Sequence, residues 1–304
     1  MESNTNPDHT STEKDRGNNS PRAMLMMASS MLIFGTIGVF RRYIPLSSSL
    51  LAFFRGAIGS LFLLIFLRAR GRKVSHSLSR RIVIILIISG AMIGINWILM
   101  FEAYNSTSVA IATLCYYMEP TIVVLLSPIF FNEKLTPKKL VCAAAAFIGM
   151  VLVSGAAGEG MPQGNALLGI LFSLSAAVLY SGVVILNKMV RNVDSYEKTI
   201  IQLASAAICL LPYLLATRQF AHMELTPSAL IPVLIVGLVH TGIGYTFYFG
   251  QTDGLRAQTL AVMSYIDPVS ALFFSAFLLN EPLSAEAIPG ALLILGAALI
   301  SEWN

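Results

Sequence analysis

The chain has 304 residues, of which 56% are hydrophobic and only 12% are charged. Soluble globular domains carry about 25% charged residues, and a chain with half that share could not cover a surface exposed to water. The apolar residues also come in runs of about 17–25, the length of helix that crosses a bilayer core of about 30 Å. The composition therefore excludes a soluble protein and predicts an all-α membrane protein.

The first 22 residues are polar and mixed in charge, and they lack the short apolar core of a signal peptide. We expect residues 1–22 to form a disordered cytoplasmic tail. Ten apolar segments follow, joined by mostly short connections, and we interpret them as ten transmembrane helices. Their predicted bounds are 23–40, 50–67, 82–103, 109–131, 138–155, 166–187, 197–215, 228–249, 258–279 and 285–303.

The basic residues orient these helices, because loops rich in Lys and Arg stay in the cytoplasm. With the N-terminus inside, sixteen of the twenty basic residues fall in cytoplasmic segments. Only Arg41, Arg42 and Arg218 fall outside, and Arg55 lies within a helix. The same arrangement accounts for the net charge of +4 without a nucleic-acid partner. We therefore expect a multi-pass protein of the plasma (inner) membrane with both termini in the cytoplasm.

The sequence offers no motif for a cofactor or a metal. The three cysteines lie in separate apolar runs, where they act as small packing residues, and the four histidines are too scattered to form a ligand cluster. Neither a GxxxxGK[ST] phosphate loop nor a dinucleotide-binding fingerprint is present. We therefore expect no cofactor, no metal site and no ATP-driven pumping.

Two stretches of the chain repeat one another. YMEPTIVVLLSPIFFNEKLT, which begins at Tyr117, matches YIDPVSALFFSAFLLNEPLS, which begins at Tyr265, at a constant offset of 148. The match places Glu119 opposite Asp267, and each carboxylate is followed by proline. Because each half holds five helices, an odd number, the second copy enters the membrane from the opposite side, which predicts two inverted five-helix repeats. The predicted domains are the repeats at 23–155 and 166–304 and a linker at 156–165.

The ten segments, the duplicated halves and the two Asn-Glu-x-Leu endings make the chain similar to the drug/metabolite transporter (DMT) superfamily. More narrowly, it resembles the ten-helix EamA-type branch, and Arg55 in LLAFFRGAIGSL resembles the arginine common in the second helix of that branch. The resemblance implies a central cavity lined mainly by helices one, three, four, six, eight and nine, with helices five and ten at the periphery. It does not specify the substrate, because members carry amino acids, purines, amines and other metabolites.

Glu119 and Asp267 lie near the middle of their predicted helices. A charge at this depth costs about 2.5–3.5 kcal/mol and usually faces the protein interior or a wet cavity. The proline after each carboxylate kinks the helix and frees the carbonyl of Tyr116 or Ser264, which forms a polar notch suited to an ammonium group. We predict that the carboxylates bind a substrate amine or exchange protons. The alternative is a structural role in which they pin the two repeats together.

Amide and aromatic side chains at similar depth extend the candidate site. Asn96 and Trp97 lie in the third predicted helix, and Tyr180 lies in the sixth. Asn96 could contact the substrate or form a hydrogen bond between helices. The aromatic side chains could stack on a flat ligand or pack against lipid and protein.

The eighth predicted helix has one face of small, polar and aromatic residues that includes His240 and Tyr248. His240 is suited to proton coupling, or it could be a neutral side chain that bonds between helices. Tyr117 and Tyr265, by contrast, are expected to point away from the carboxylates, because residues two apart on a helix lie on different faces.

Arg55 and Glu102 both lie toward the outer face of the membrane in this interpretation. We expect them to form a gating or structural ion pair; alternatively, Arg55 meets a carboxylate of the substrate. The Asn132–Glu133 and Asn280–Glu281 endings are expected to cap helices and latch loops at opposite surfaces.

These patterns predict a secondary active or facilitative transporter that works by alternating access, and not an enzyme. The expected substrate is a small amine-bearing metabolite, an amino acid or related compound, with export as the expected direction and protons as a candidate coupling ion. One alternative is uptake of an organic cation such as a quaternary amine, held on aromatic faces. Alternatives of another class are an intramembrane enzyme and a non-transporting scaffold. The sequence does not specify an oligomeric state.

Overall fold

The computed structural model describes residues 20–72, 78–131, 134–155, 164–190, 192–223, 226–251, 255, 257–281, 283–285 and 287–302. Most of the predicted tail (1–22), most of the predicted linker (156–165) and the Asn132–Glu133 ending lie outside these residues. The part of the chain that the structure describes is helical and contains no strand. The expected all-α class is therefore confirmed.

The helices are named in chain order. They are α1 (Pro21–Gly35), α2 (Ile37–Arg42), α3 (Ser48–Ala69), α4 (Arg80–Ser106), α5 (Val109–Tyr116), α6 (Glu119–Phe131), α7 (Pro137–Val153), α8 (Gly164–Met189), α9 (Ser195–Ala216), α10 (Pro227–Ile235), α11 (Gly244–Gln251), α12 (Ala257–Ser264), α13 (Ile266–Leu278) and α14 (Ala287–Glu302). A 3₁₀ turn (Gln219–His222) precedes α10, and a π-helical segment (Val236–Ile243) joins α10 to α11.

Several neighbouring helices continue as one element of membrane length. The described residues contain seven helical stretches that are long and apolar enough to cross a bilayer. They also contain shorter apolar helices at Val262–Leu278 and Ala287–Ser301. Their outer surface is apolar, as lipid-facing surfaces are: Ile129 and Phe277 are 74% and 69% exposed. The protein is therefore a multi-pass membrane protein, whereas the count of ten crossings stays a prediction.

The internal repeat is visible in the way two elements break. α5 and α12 each have 8 residues, and the helices that follow them, α6 and α13, each have 13. Both breaks directly precede the carboxylate–proline pair. Since proline has no backbone N–H, the regular bond to the residue four back cannot form there. Just before the prolines, the backbone bonds three residues back instead, from Met118 N to Cys115 O at 3.2 Å and from Tyr265 N to Val262 O at 3.3 Å.

Two further irregularities face one another across the bundle. α1 ends at Gly35 and is followed by Thr36, whose hydroxyl donates to Ile33 O at 2.7 Å, before α2 begins. In the π-helical segment, the hydroxyl of Thr241 donates to Val236 O, five residues back, at 3.1 Å. π-helical turns are rare and occur frequently at functional sites.

The last helix of each repeat packs against its counterpart at the edge of the bundle. α7 and α14 cross at Gly149 and Gly290, where a Cβ on Gly149 would lie 2.7 Å from Gly290 O and a Cβ on Gly290 would lie 2.6 Å from Gly149 O. Only glycine allows backbones to approach this closely, as at other small-residue interfaces in membranes. This pairing holds α7 and α14 together and leaves the other helices to surround the interior.

Candidate substrate cavity

A cavity of about 530 Å³ lies inside the bundle. Its walls come from α1 to α6, α8, α9 and α11 to α13, together with Tyr117 and Tyr265 at the helix breaks. Among the described residues, neither α7 nor α14 contributes to the lining, which matches the peripheral place that the family resemblance implies. The volume falls in the range of about 300–1,000 Å³ that is usual for small-molecule sites.

Nine of the eleven residues predicted for the site line this cavity, and their roles in binding stay predictions. They are Arg55, Asn96, Trp97, Tyr116, Glu119, Tyr180, Tyr248, Ser264 and Asp267. The other two, Glu102 and His240, lie elsewhere.

The two carboxylates occupy equivalent places, each in the first turn of a helix that begins inside the bundle. Glu119 is the first residue of α6, and its carbonyl accepts a hydrogen bond from Ser181 Oγ at 3.1 Å. Asp267 is the second residue of α13, and its Oδ2 accepts a hydrogen bond from the hydroxyl of Tyr117 at 3.2 Å. The expectation that Tyr117 points away from the carboxylates is therefore wrong for Asp267. Tyr117 reaches the carboxylate of the other repeat because α5, whose end it follows, packs against α13.

Arg55 lies in the wall of the cavity and is 8% exposed. Its guanidinium carbon lies 4.1 Å from the centre of the Trp97 ring, and its Nε donates to the hydroxyl of Thr241 at 3.1 Å. The stacking and the hydrogen bond together fix the plane of the guanidinium.

The predicted ion pair between Arg55 and Glu102 is absent from this structure. The ion pairs within the described part of the chain are Arg42–Glu281 and Arg72–Asp194. Glu102 follows Trp97 by five residues on the continuous helix α4, which rotates its side chain by about 140° from that of Trp97. Arg55 packs on the Trp97 face of α4, so Glu102 is directed elsewhere.

His240 is buried behind the cavity wall, with 1% of its surface exposed. Its Nε2 lies 2.8 Å from Thr36 Oγ1, its Nδ1 lies 3.3 Å from Ile235 O, and its ring meets the edge of Phe40 at 4.9 Å between centres. His240 thus lies outside the cavity lining and bonds between elements, as one of its two predicted roles allows, and its part in substrate binding or proton coupling stays a prediction. His240 lies within the π-helical segment, whose wider turns change the direction of its side chains relative to a regular α-helix.

Amide side chains connect the helices around the cavity. Asn96 Nδ2 donates to Ala176 O at 2.7 Å, which joins α4 to α8. Gln202 Nε2 donates to Asn187 Oδ1 at 2.8 Å and to Ser89 Oγ at 2.7 Å, which joins α9 to α8 and α4. Asn96 therefore makes the hydrogen bond between helices that the sequence allowed; it also lines the cavity, and its contact with substrate stays a prediction.

Aromatic rings cover much of the remaining wall. The ring centres of Tyr116 and Tyr180 lie 5.9 Å apart. On another side, Tyr245 lies 5.4 Å from Phe34 and 5.7 Å from Phe249. This wall offers flat apolar faces, with phenol groups at intervals, to whatever occupies the cavity.

Sequence reasoning missed several polar residues that line the cavity: Tyr104, Thr113, Tyr117, Asn187, Thr199, Gln202 and Tyr245. The sequence contains a pattern that could have identified two of them, Tyr245 and Gln202. Tyr245 precedes Tyr248 by three residues on α11, and residues three apart share a face. Gln202 is an amide within an apolar helix, and polar groups in such positions usually face the bundle interior.

A cluster of polar contacts joins the helices at the end of the bundle where α2, α4 and α13 terminate. There the carboxylate of Glu281 pairs with Arg42 Nη2 at 2.6 Å and accepts hydrogen bonds from Val109 N and Ser275 Oγ, both at 2.9 Å. Arg42 Nη2 also donates to Thr107 O at 2.9 Å. These contacts confirm the expected latch for the Asn280–Glu281 ending, and we call them the Glu281 latch.

The cavity lining extends toward the opposite end of the bundle. Asn187 is near the end of α8, Thr199 is near the start of α9 and Phe249 is near the end of α11, and all three belong to the lining. The cavity therefore runs from the carboxylates toward the α8–α9 connection, away from the Glu281 latch.

Comparison with known proteins identifies similar chains. The sequence profile of the EamA-like transporter family matches residues 21–155 and 167–302. The uncharacterized transporter YxxF of Bacillus subtilis is 30% identical over 82% of this chain and 79% of that protein. A protein of Salmonella typhimurium named as a probable amino-acid metabolite efflux pump is 27% identical over 64% of this chain and 67% of its own length. One crystal structure superposes with a TM-score of 0.65 at 22% identity, over 92% of this chain and 96% of the other, and so has the same fold.

Proposed function

Since this chain belongs to the EamA-like transporter family, it is a membrane transporter of a small molecule, and we propose that it exports an amino acid or a related amine-bearing metabolite. The family is one of transporters, and its duplicated architecture suits alternating access, in which the two repeats rock about a shared site. The proposal places the protein in the plasma membrane with both termini in the cytoplasm, as the distribution of Lys and Arg indicates.

The observation that carries the proposal is the cavity itself, which holds one carboxylate from each repeat beside an aromatic wall. Glu119 and Asp267 can each accept hydrogen bonds from an ammonium group, and Tyr116 and Tyr180 offer ring faces to an apolar side chain. A water-soluble amine would exchange its hydration for these contacts inside the bilayer. The same carboxylates are the groups that would carry protons if transport is coupled to a pH gradient.

The direction of transport is supported by two observations. A relative is named as a probable amino-acid metabolite efflux pump. In the proposed orientation, the Glu281 latch closes the outer end, and the lining reaches Asn187 and Thr199 at the cytoplasmic end. In this conformation the cavity would load from the cytoplasm, a state that an export cycle requires.

A second candidate function is transport of an organic cation. The aromatic wall formed by Tyr116, Tyr180 and Tyr245 favours it, because aromatic faces attract quaternary ammonium groups. The two candidates differ in what they require of the substrate: an amino acid carries a carboxylate, and a simple organic cation does not.

The test is flux into sealed liposomes that contain the purified protein, with labelled amino acids and amines as probes and with or without a pH gradient. We expect wild-type protein to transport at least one amine-bearing probe, and Asp267→Asn or Glu119→Gln to lower its flux roughly tenfold or more, as loss of a charged hydrogen bond predicts. Asp194→Asn is the matched control. Asp194 is an exposed N-cap of α9, and asparagine keeps that cap. Flux through Asp267→Asn and Glu119→Gln equal to that of the control would contradict the proposal.

A further inference from the structure

Arg55 presents an unused part of its guanidinium to the cavity. Its Nε is bonded to Thr241, and no hydrogen bond joins either Nη to another described residue. Among the described residues, two side-chain polar atoms are fully buried without a hydrogen-bond partner, Arg41 Nε and Ser173 Oγ. The Nη atoms of Arg55 are not among them, so they are not enclosed by protein atoms on all sides. Arg55 is more than nine-tenths buried and lines the cavity, so its two Nη groups are directed into that space.

No described carboxylate forms an ion pair with this cation, although Asp267 is near enough to feel its charge. The ion pairs between described residues are Arg42–Glu281 and Arg72–Asp194, and Arg55 belongs to neither. A buried cation without a paired anion is costly in membranes, and such residues usually mark a ligand or ion pathway. The cost is offset when the ligand brings the missing negative charge.

The geometry of the guanidinium matches one class of anion. Its two Nη groups form a planar fork that binds a carboxylate through two parallel hydrogen bonds. The Trp97 ring, 4.1 Å away, covers one face of the guanidinium, and the bond to Thr241 holds its Nε edge. The remaining Nη edge is therefore preorganised to receive a flat anion from the cavity.

We propose that Arg55 binds the carboxylate of the substrate, so that the transported molecule is a zwitterion and not a simple organic cation. This inference rests on the proposed function and gives Arg55 the role of specificity determinant. The substrate's carboxylate meets Arg55, its ammonium group meets Asp267 or Glu119, and its side chain lies on the aromatic wall. The cavity of about 530 Å³ has room for one such molecule.

The test compares amines with and without a carboxylate. Three matched pairs serve as probes: L-phenylalanine with phenethylamine, L-leucine with 3-methylbutylamine, and L-threonine with 1-aminopropan-2-ol. Their dissociation constants are measured by calorimetry on wild-type protein and on the Arg55→Gln and Arg55→Lys variants. We expect wild type to bind the acid of at least one pair roughly tenfold or more tightly than its amine.

In Arg55→Gln, we expect the acid of that pair to lose roughly tenfold or more in affinity, while the amine changes by less than about twofold. Arg55→Lys keeps the charge without the fork and should give an intermediate loss for the acid. Arg68→Gln is the matched control, because Arg68 is an exposed residue in the last turn of the same helix α3. It should bind like wild type.

Three results would overturn the inference: wild type that binds no acid of the three pairs, equal affinity for the acid and the amine, or an Arg55→Gln variant that weakens both probes alike. If Arg55→Gln does not fold, as judged by gel filtration and its thermal midpoint, Arg55→Lys decides between the same outcomes.

Flux in liposomes separates the proposed transport function from the proposed role of Arg55. Binding of an acid through Arg55 without flux of any solute refutes the proposed transport alone, and flux of amines without acids refutes the role of Arg55 alone.

Discussion

At the scale of single residues, a hydroxyl group crosses from one repeat to the carboxylate of the other. Tyr117 lies at the break between α5 and α6, and its hydroxyl donates to Asp267 Oδ2 at 3.2 Å. Its ring also lies 6.4 Å from that of Tyr265, its counterpart in the second repeat. Tyr117 therefore orients the carboxylate that we propose to bind the substrate amine, while its ring packs at the junction of the repeats.

Tyr117→Phe removes the hydroxyl and keeps the ring. We expect the KM for transport to rise about fivefold or more, because a hydrogen bond to the carboxylate contributes about 1 kcal/mol or more. The measurement is initial flux in liposomes over a range of substrate concentrations. Tyr213→Phe, on the exposed face of α9, is the control for loss of a phenol group. An unchanged KM in Tyr117→Phe would show that Asp267 does not need this donor.

At the scale of helices, a glycine at the end of α1 sets how closely α13 can approach. A Cβ on Gly35 would clash with Ser270 Oγ and would lie 2.9 Å from Asp267 O. The first turn of α13, which carries Asp267, therefore rests directly on the backbone of α1. Packing this tight transmits a shift in α1 to the carboxylate.

Gly35→Ala should push α1 and α13 apart. We expect overpacking to destabilise the protein by about 1–3 kcal/mol, to lower the thermal midpoint in detergent and to reduce flux, because Asp267 moves with its helix. The control is Gly296→Ala in α14, where no atom lies within 4 Å of the added Cβ. Alanine is the better helix former there, so the midpoint should stay or rise. Equal effects of the two substitutions would exclude the proposed clash.

At the scale of the whole molecule, the Glu281 latch joins the end of α2, the turn before α5 and the residues after α13. Its members come from both repeats, so the latch must open if that end of the cavity opens. The side chains of Arg42 and Glu281 are 28% and 21% exposed, and an ion pair so near the surface contributes on the order of 1 kcal/mol. A contribution of this size stabilises the state in which this end of the cavity is closed but still allows it to open.

Glu281→Gln weakens the pair with Arg42 and leaves an acceptor for Val109 N. We expect the population open at that end to increase about fivefold, as the loss of about 1 kcal/mol predicts. The reporter is Thr113→Cys in a background without the three native cysteines, labelled from outside by a membrane-impermeant maleimide. Asp194→Asn, which removes the other ion pair, is the control. Labelling at the wild-type rate in Glu281→Gln would show that the latch does not hold this end closed.

The sequence by itself determined the properties that depend on local chemistry. Apolar runs identified a helical membrane protein, because a backbone inside lipid must satisfy its own hydrogen bonds. The two carboxylate–proline pairs located the helix breaks, since proline removes a donor wherever it stands. The matched spacing then made the carboxylates of the two repeats equivalent, and both line the cavity.

Only the tertiary structure decided which side chains meet. Arg55 stacks on Trp97 and bonds to Thr241 instead of pairing with Glu102, and His240 bonds to Thr36 behind the cavity. These partners lie up to about two hundred residues apart in the chain, so their contacts depend on how helices rotate and cross. A helix break or a π-helical turn alters that rotation for every residue beyond it, and periodicity read along one helix carries no information about it.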